Sequence, residues 1–491
     1  MGASVSIIGL GASGISAARL ALTKGETVYV SDVSTDPRVA ARGRELELLG
    51  AEVQLGSHDL DRIQASRLVV VSPGIAPDTP VLAALRSRGV RWVSEPEFAV
   101  RFYSGSLIAI TGTNGKTTTS SLTAHHLESS GITAALGGNV GGSLAPPASD
   151  LALLDPPPAW YVLEMSSFQL ADTLSFAPEI GVVTNLAPDH LDRYPDTTTY
   201  FADKALLFRN AKESSRWVLN GDDPATLALP GSAAGVRHLF TWAPPGNVRA
   251  GTNGSRGKPA PSAYVRDGVL TLAVGGSRGE EGGDEAPLLP RGELRLLGRH
   301  NVMNALAASL AARLAGADPE GIRKGLRSFR PLPHRLEPVL EGGGVLWVND
   351  SKATNVAASL SAIRSMERPL VLLLGGKDKG EDFRPLGRAL SGKSRAVVLY
   401  GAAAARLGKE LAEALGEKEA SSSGNAPVLL HVAGGLEEAV ALAGSVAEAG
   451  DAVLLAPACS SFDEFDGYEA RGRRFSELAS LLGSSREGDE R

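Results

Sequence analysis

The sequence predicts an α/β protein of three domains: an N-terminal Rossmann-like unit, a central P-loop ATPase-like parallel sheet and a C-terminal Rossmann-like unit. Strand-length apolar runs alternate with helix-length segments along most of the chain. Two glycine-rich strand-to-helix turns, GLGASG at 9–14 and GTNGKTT at 112–118, mark separate anion-binding openings. At ordinary domain size, 491 residues make roughly three domains.

The first unit is placed at 1–103. VSIIGL (5–10) is a strand running into GLGASG, ISAARLALTKG is its helix, and TVYVSD is a second strand ending at Asp32. LVVVSPGI (68–75) and VLAALRSRG (81–89) repeat the alternation, giving a doubly wound nucleotide-binding unit. GxGxxG followed by an acid is a weak signal on its own. It requires only an anion at a helix N-terminus and a hydroxyl partner for Asp32, so a dinucleotide and a nucleotide-sugar diphosphate fit equally.

The second unit is placed at 104–331 and opens on LIAITGTNGKTTT (107–119). Phosphate needs backbone N–H groups from a loop without bulky side chains, which Gly112, Thr113, Asn114 and Gly115 supply. Lys116 brings a mobile cation, and Thr117 or Thr118 a hydroxyl for Mg²⁺. Ile110 stands where the common GxxxxGK[ST] pattern has its first glycine, so the loop is a shortened one. It implies a nucleoside triphosphate. WYVLE (160–164) ends at Glu164, and EIGVVTNL (179–186) leads to His190. A carboxylate and an imidazole at the same sheet edge suit Mg²⁺ or Mn²⁺. TTTYFADKALLFRNAK (197–212) reads as a helix whose inward stripe is Phe201, Ala205 and Phe208, with Lys204 inside it. Either that lysine snorkels to water, or burial lowers its pKa and the neutral amine reacts with CO₂ to give a carbamate metal ligand. RWVLNGDD (216–223) is a further strand. Residues 243–292 are loop-like around one hairpin, AYVRDGVLTLAV (263–274), and NVMNALAASLAARLAG (301–316) is a helix.

The third unit is placed at 332–491. VLWVND (345–350), PLVLLLGG (369–376), RAVVLYG (395–401), PVLLHV (427–432) and DAVLLAP (451–457) alternate with helices as a second doubly wound parallel sheet. Asp350, Lys352 and Thr354 follow one strand, Lys377 and Lys379 a second, Ser460 and Ser461 a third. Cations and hydroxyls at three strand ends suit a small anionic substrate. Arg335, past the Pro-rich PLPHRLE, is placed to deliver a cation across a domain boundary.

Composition narrows the class. A net charge of −6 disfavours a nucleic-acid partner, and the single Cys459 excludes an intrachain disulfide. No apolar run approaches the roughly 18 residues of a membrane span. A cytoplasmic monomeric enzyme is expected.

Together the motifs GLGASG, SPGI, GTNGKTT, EMSSFQL, NLAPDHLDRY, HNVMNALAA, HRLE, NDSKATN, GGKDKG and PACSSFDEF resemble the Mur ligases, ATP-dependent amide-forming enzymes of peptidoglycan synthesis. The phosphate loop is common to that family and to folylpolyglutamate synthase. The N-terminal GxGxxG unit with NDSKATN and GGKDKG points to joining D-glutamate to UDP-N-acetylmuramoyl-L-alanine through an acyl phosphate. The resemblance implies that Lys116 and Thr117 hold ATP phosphates and Mg²⁺, that Glu164 and His190 complete the metal sites, and that Lys204 is carbamylated, with His190 also orienting or deprotonating the amine. It places Asn301 and Asn304 near adenine, Asp350 near the ribose and Arg335 near the phosphates. Thr354, Lys379, Ser461 and Tyr468, with Lys352 beside them, fall at D-glutamate positions. Asp32, Ser72, Gly74 and Asn139 fall at UDP-sugar positions. Tyr468 replaces an expected phenylalanine, and the 243–292 segment is longer than expected, with effects confined to the surface. Substrates on three domains imply a hinge, the third domain closing on ATP. Three rivals stay open: an NAD-dependent oxidoreductase, which leaves the phosphate loop unexplained; an ATP-driven switch, which leaves the third unit's loops idle; and a sister ligase adding another amino acid or glutamylating a folate.

Overall fold

A computed structural model of the chain describes residues 4–140, 144–189, 193–244, 260–274, 285–419 and 428–489. It contains three sheets with helices between their strands, the α/β class that the alternation predicts. The chain divides into two compact units, Met1–Glu293 with Met303–Ser328, and Leu294–Val302 with Phe329–Arg491. Among the described residues no helix is long and apolar enough to cross a membrane.

The first unit carries two sheets. One has five parallel strands, Val5–Ile8, Val28–Asp32, Glu52–Leu55, Leu68–Val71 and Val93–Ser94, in the spatial order third, second, first, fourth, fifth. The order reverses beside the first strand, and that switch point opens a crevice at the strands' carboxyl ends. Both faces are covered by helices, which is why Val5, Ile7 and Ile8 are buried in succession rather than alternately. The same hydrophobic cluster continues through Leu107, Tyr161 and Leu163 of the central sheet, and Tyr103 stacks on Tyr161 at 3.7 Å. The two sheets therefore share one core. Fully buried Glu97, in the short helix Glu95–Ala99, accepts the Ser175 and Phe176 N–H groups at 3.0 and 2.9 Å across that junction.

The central sheet has nine strands. Ser106–Thr111, which feeds the phosphate loop, lies between Trp160–Glu164 and Ile180–Val183, parallel to both. On the far side, Arg216–Asn220 and Val236–Phe240 continue in parallel. The loop-rich segment departs from expectation here. Pro261–Arg266 pairs in parallel with Val236–Phe240, Val269–Leu272 follows antiparallel, and Ala286–Pro290 adds a third strand. Although its composition cannot build a core alone, the runs Ala263–Val265 and Leu270–Leu272 borrow burial from the existing sheet edge.

The helix read over 197–212 is shorter. It runs Thr197–Ala205 and tightens into a 3₁₀ turn at Leu206–Phe208. Its buried stripe is also shifted in part: Tyr200, Lys204 and Leu207 face inward together with the expected Phe208, while Phe201 and Ala205 are half-buried. Spacing of i, i+4, i+7 fits either set, and apolarity alone selects the wrong one because the true stripe contains the lysine.

The second unit is built on a six-stranded sheet in the order Glu337–Gly342, Val345–Asn349, Ala452–Ala458, Leu370–Gly375, Ser394–Tyr400, Leu429–Val432. All neighbours are parallel except the first pair, so the expected parallel sheet carries one antiparallel edge strand. Clusters around Leu372, Val397 and Leu454 on one face, and Trp347, Val371 and Val453 on the other, fill the layers beneath the helices.

Candidate functional site

In the first unit the phosphate loop leaves the strand Ser106–Thr111 and enters the helix Lys116–Ser129. Gly112 and Gly115 have φ of 139° and 83°, the region open to glycine. Close packing imposes the same choice. A Cβ on Gly112 would lie 2.0 Å from Thr184 Oγ1, and one on Gly115 would lie 2.3 Å from Asn304 Oδ1. The loop is pinned by the segment after Ile180–Val183. Thr113 N–H donates to the Asn185 carbonyl at 2.9 Å and Asn114 N–H to Asn185 Oδ1 at 3.0 Å. Thr184 Oγ1 and Asn185 Nδ2 donate to the Asn114 carbonyl at 2.6 and 2.8 Å. Thr117 and Thr118 are buried on the helix's first turn, whose N-cap is Gly115, a residue with no side chain to stand in an anion's place.

Two lysines converge on this loop. Lys116 Nζ donates to the carbonyls of Gly112 at 3.1 Å and Thr113 at 2.9 Å, and Lys204 Nζ donates to the same Gly112 oxygen at 2.9 Å. Lys204 is 1% exposed, and burial, reinforced by the Lys116 charge, holds its amine well below the usual lysine range. Its Nζ also lies 4.6 Å from the centre of the Tyr200 ring. The snorkelling arrangement is thereby excluded, since the head as well as the stem is enclosed.

Glu164 ends its strand beside the loop, 2% exposed. Its Oε1 accepts the Asn139 amide at 3.0 Å and its carbonyl accepts the Asn139 N–H at 2.8 Å; Oε2 is buried with no hydrogen-bond partner among the described residues. Asn139, expected with the UDP-sugar, is thus seated against the carboxylate expected to hold metal. His190 lies outside the described residues. Among those described, no group of three or more His, Cys, Asp or Glu side chains forms a ready metal cage.

The other first-unit candidates gather at the first sheet's switch point. Asp32 accepts the Leu10 N–H at 2.7 Å and the Ser34 N–H at 2.8 Å, so it shapes the glycine loop while keeping lone pairs for a ligand. Ser72 Oγ donates to the Gly9 carbonyl at 3.1 Å, and Gly74 follows in the turn. Asn304, in contact with Gly115, stands at the phosphate loop.

In the second unit the structure brings together Thr354 and Lys379, whose Nζ donates to the Thr354 carbonyl at 3.2 Å, and Lys352 and Tyr468, whose Nζ-to-ring distance is 5.4 Å. Asp350 accepts the Leu336 N–H at 3.2 Å, and burial pushes its carboxyl up to about 7 against the opposing pull of Arg335 and Lys352. Ser461 is buried at the end of its strand. Asn301 donates its amide to the Leu297 carbonyl at 2.8 Å.

Sequence reasoning missed three residues that assemble these sites. Asn185 clamps the phosphate loop and Arg193 grips the 73–75 turn; both sit in NLAPDHLDRY, where only the histidine attracted attention. The third is Arg471, wholly buried. Its guanidinium donates to Ser351 Oγ and O at 3.0 and 2.9 Å, to the Cys459 carbonyl at 3.2 and 3.1 Å, and to the Ser460 carbonyl at 3.3 Å. It stands in YEARGRRF among two other arginines, a run that reads as a solvated helix face.

Fold and loop together define the class: an α/β protein with a shortened P-loop on a strand flanked on both sides by parallel neighbours. Family models match along the chain: the Mur ligase MurD-like N-terminal domain over 3–94, the Mur ligase middle domain over 110–242 and the Mur ligase glutamate ligase domain over 334–459. A UDP-N-acetylmuramoylalanine–D-glutamate ligase of Acidobacterium capsulatum is 40% identical over 97% of this chain and 96% of its own. One from Koribacter versatilis is 38% identical over 97% of each. In fold, the chain is similar to the UDP-N-acetylmuramate-alanine ligase MurC of Thermotoga maritima, with a TM-score of 0.55, 19% identity and coverage of 98% and 99%. The chain belongs to the Mur ligase family.

Proposed function

We propose that this chain is an ATP-dependent ligase that joins D-glutamate to UDP-N-acetylmuramoyl-L-alanine in peptidoglycan precursor synthesis. Support comes from relatives of that name along nearly the whole chain. The structural observation that carries the chemistry is the pair of lysine amines on the Gly112 carbonyl.

An amine does not displace oxide from a carboxylate at useful rates, so the acid is first converted to an acyl phosphate. The alanyl carboxylate attacks the γ-phosphorus of ATP; the bond from that phosphorus to the β–γ bridging oxygen breaks, and ADP leaves. The D-glutamate amine then attacks the acyl carbon, the C–O bond to phosphate breaks, and the amine gives up a proton. In the first step Lys116 swings from its two carbonyls to the γ-phosphate oxygens, while the loop N–H groups hold the phosphate chain in line. Thr354, Lys379, Ser461 and Tyr468, with Lys352, bind D-glutamate; Asp350, Arg335, Asn301 and Asn304 serve ATP; Asp32, Ser72 and Gly74 hold the uridine nucleotide.

The donor set fits Mg²⁺. Glu164 Oε2 is buried without a partner, Thr117 offers a hydroxyl, and Lys204, poorly able to keep its proton, is suited to become a carbamate that supplies a further oxygen. Few protein carboxylates are needed where the nucleotide brings phosphate oxygens of its own. Bound there, Mg²⁺ would offset charge on the transferring phosphoryl group. His190 is proposed as a further ligand that also orients the amine. A cytoplasmic setting agrees with the lone, buried Cys459.

The test is phosphate release from ATP with UDP-N-acetylmuramoyl-L-alanine, screening D-glutamate against L-glutamate, L-alanine and diaminopimelate. Turnover is expected with D-glutamate alone; turnover with a different amino acid, or with none, overturns the reading.

A further inference from the structure

We propose that Arg193 is a positioning residue that fixes the sugar-nucleotide turn relative to the phosphate loop, acting through the aromatic chain Phe168, Tyr194, Tyr200. The proposal rests on the ligase reading. Arg193 donates Nη1 and Nη2 to the Pro73 carbonyl at 3.2 Å each, and Nη2 to the Ile75 carbonyl at 2.7 Å. Those carbonyls flank Gly74, in the turn assigned to the UDP-sugar. The guanidinium carbon sits 3.8 Å from the centre of the Phe168 ring. Phe168 stacks on Tyr194 at 5.5 Å and 9°, and Tyr194 contacts Tyr200 at 5.3 Å. Tyr200 in turn reaches Thr113 Oγ1 of the phosphate loop at 3.3 Å and lies beneath the Lys204 amine. Tyr194 and Tyr200 are 8% and 1% exposed, so the chain of contacts is packed from end to end.

Three features separate this from an ordinary staple between two sheets. Among the described residues Arg193 makes no ion pair, so its fork is committed to two main-chain carbonyls, while its charge acts on Asp172 only at a distance. Its Nε is buried with no hydrogen-bond partner among the described residues, a cost that a residue serving stability alone would shed. Finally, a cavity of about 310 Å³, lined by Ser72, Phe168, Asp172, Arg193, Tyr194 and Asp203, lies behind the turn. Ser72 ties the near end of the turn to the first strand, and with space beside residues 73–75 the two Arg193 contacts hold its far end.

The experiment uses full-length Arg193→Lys, Arg193→Gln, Tyr200→Phe and the Arg193→Gln/Tyr200→Phe double variant. Steady-state constants for each substrate and the melting temperature are measured. Loss of a charge-assisted fork predicts a rise of about tenfold in KM for UDP-N-acetylmuramoyl-L-alanine in Arg193→Gln, with KM for ATP within about twofold and the melting temperature retained. Lysine, able to hold one carbonyl, should recover part of that loss. Because both residues lie on one chain, Tyr200→Phe should lower kcat alone yet add less than about twofold in the Arg193→Gln background. Multiplying effects, an unchanged sugar-nucleotide KM in both Arg193 variants, or KM values for ATP and sugar nucleotide rising together as melting temperature falls, would each overturn the role. If Arg193→Gln does not fold, the lysine variant carries the same comparison. Wild-type protein without D-glutamate-dependent turnover removes the ligase reading and this proposal with it; active wild type without the variant pattern removes the proposal alone.

Discussion

The phosphate-loop region and the strand-end cluster of the second unit are assembled in opposite ways. At the phosphate loop, the chemistry is contiguous: Gly112 to Thr118 form one turn, pinned by the segment 184–187 and by Tyr200 and Lys204 of one helix. In the second unit, Thr354, Lys379 and Ser461 come from three strand ends far apart in sequence, and Arg471 ties the backbone of those loops together. One site is written into a local motif, while the other depends on a buried cation that bonds the main chain beside Lys352 and Ser461. The same residue type, a charged side chain, should therefore show opposite behaviour when removed from the two places.

The largest expected effect is at Lys116. Replacing it with alanine removes a partly buried side chain that serves two carbonyls, so urea-induced unfolding should move by less than about 1 kcal/mol. Phosphate release should fall by about 10³-fold or more, the scale of a lost cationic clamp on a transferring phosphoryl group. Retained turnover would sever the loop from the chemistry. Arg471→Met should invert the pattern. The carbonyls of Ser351 and Cys459 would be buried without a donor, at a cost on the order of 3–5 kcal/mol in unfolding free energy, while Ser460 keeps the Lys377 N–H. The phosphate loop lies in the other compact unit, so nucleotide binding measured calorimetrically on protein that does fold should weaken through the second-unit groups assigned to ATP but not be abolished.

This contrast also explains what was legible in the sequence. The phosphate loop, Glu164 at its strand end and the burial of Lys204 were readable because each follows from local order: a glycine turn, a strand terminus, a helical stripe. The stripe itself was placed one residue off, on Phe201 and Ala205, because hydrophobicity cannot announce a lysine that packs inward. Arg471 and Arg193 were not readable. Their partners are main-chain carbonyls, which every residue possesses, so no side-chain pattern marks the acceptors. The hairpin at 263–274 was readable, but its parallel pairing to the sheet edge and the strand Ala286–Pro290 escaped for a related reason: an edge lends burial to segments whose own composition is poor in apolar residues.

Protonation sharpens the comparison at intermediate scale. Burial drives Lys204 toward the neutral amine in one unit and Asp350 toward the neutral acid in the other. Asp350 is half-buried as a residue, but its carboxyl group is enclosed and titrates near 7. An acid with a raised folded pKa binds its proton more tightly when folded. Its contribution is therefore present below the unfolded value near 4 and is lost as pH rises through about 7. Asp350→Asn keeps an oxygen for the Leu336 N–H and removes the titration. Relative to that variant, wild type should lose on the order of 4 kcal/mol of stability between pH 4 and pH 8 in urea titrations. A flat difference across that range would place the carboxylate charged throughout.

The smallest expected effect is at Tyr468. Its ring faces the Lys352 amine at 5.4 Å, and burial, with a neighbouring Glu469, pushes its hydroxyl up to about 12, so it stays protonated across the working range. The attraction between an ammonium and an aromatic face belongs to the ring and is worth roughly 0.5–1 kcal/mol at a partly exposed site. Tyr468→Phe preserves it, and kcat/KM for D-glutamate should stay within about twofold. Tyr468→Leu discards it and should lose about fivefold, the same energy expressed as a rate. Equal losses in the two variants would shift the role from the ring to the hydroxyl. They would then mark this position as a polar contact that a phenylalanine could not supply, making the second unit's site depend on one more group that its sequence motifs do not reveal.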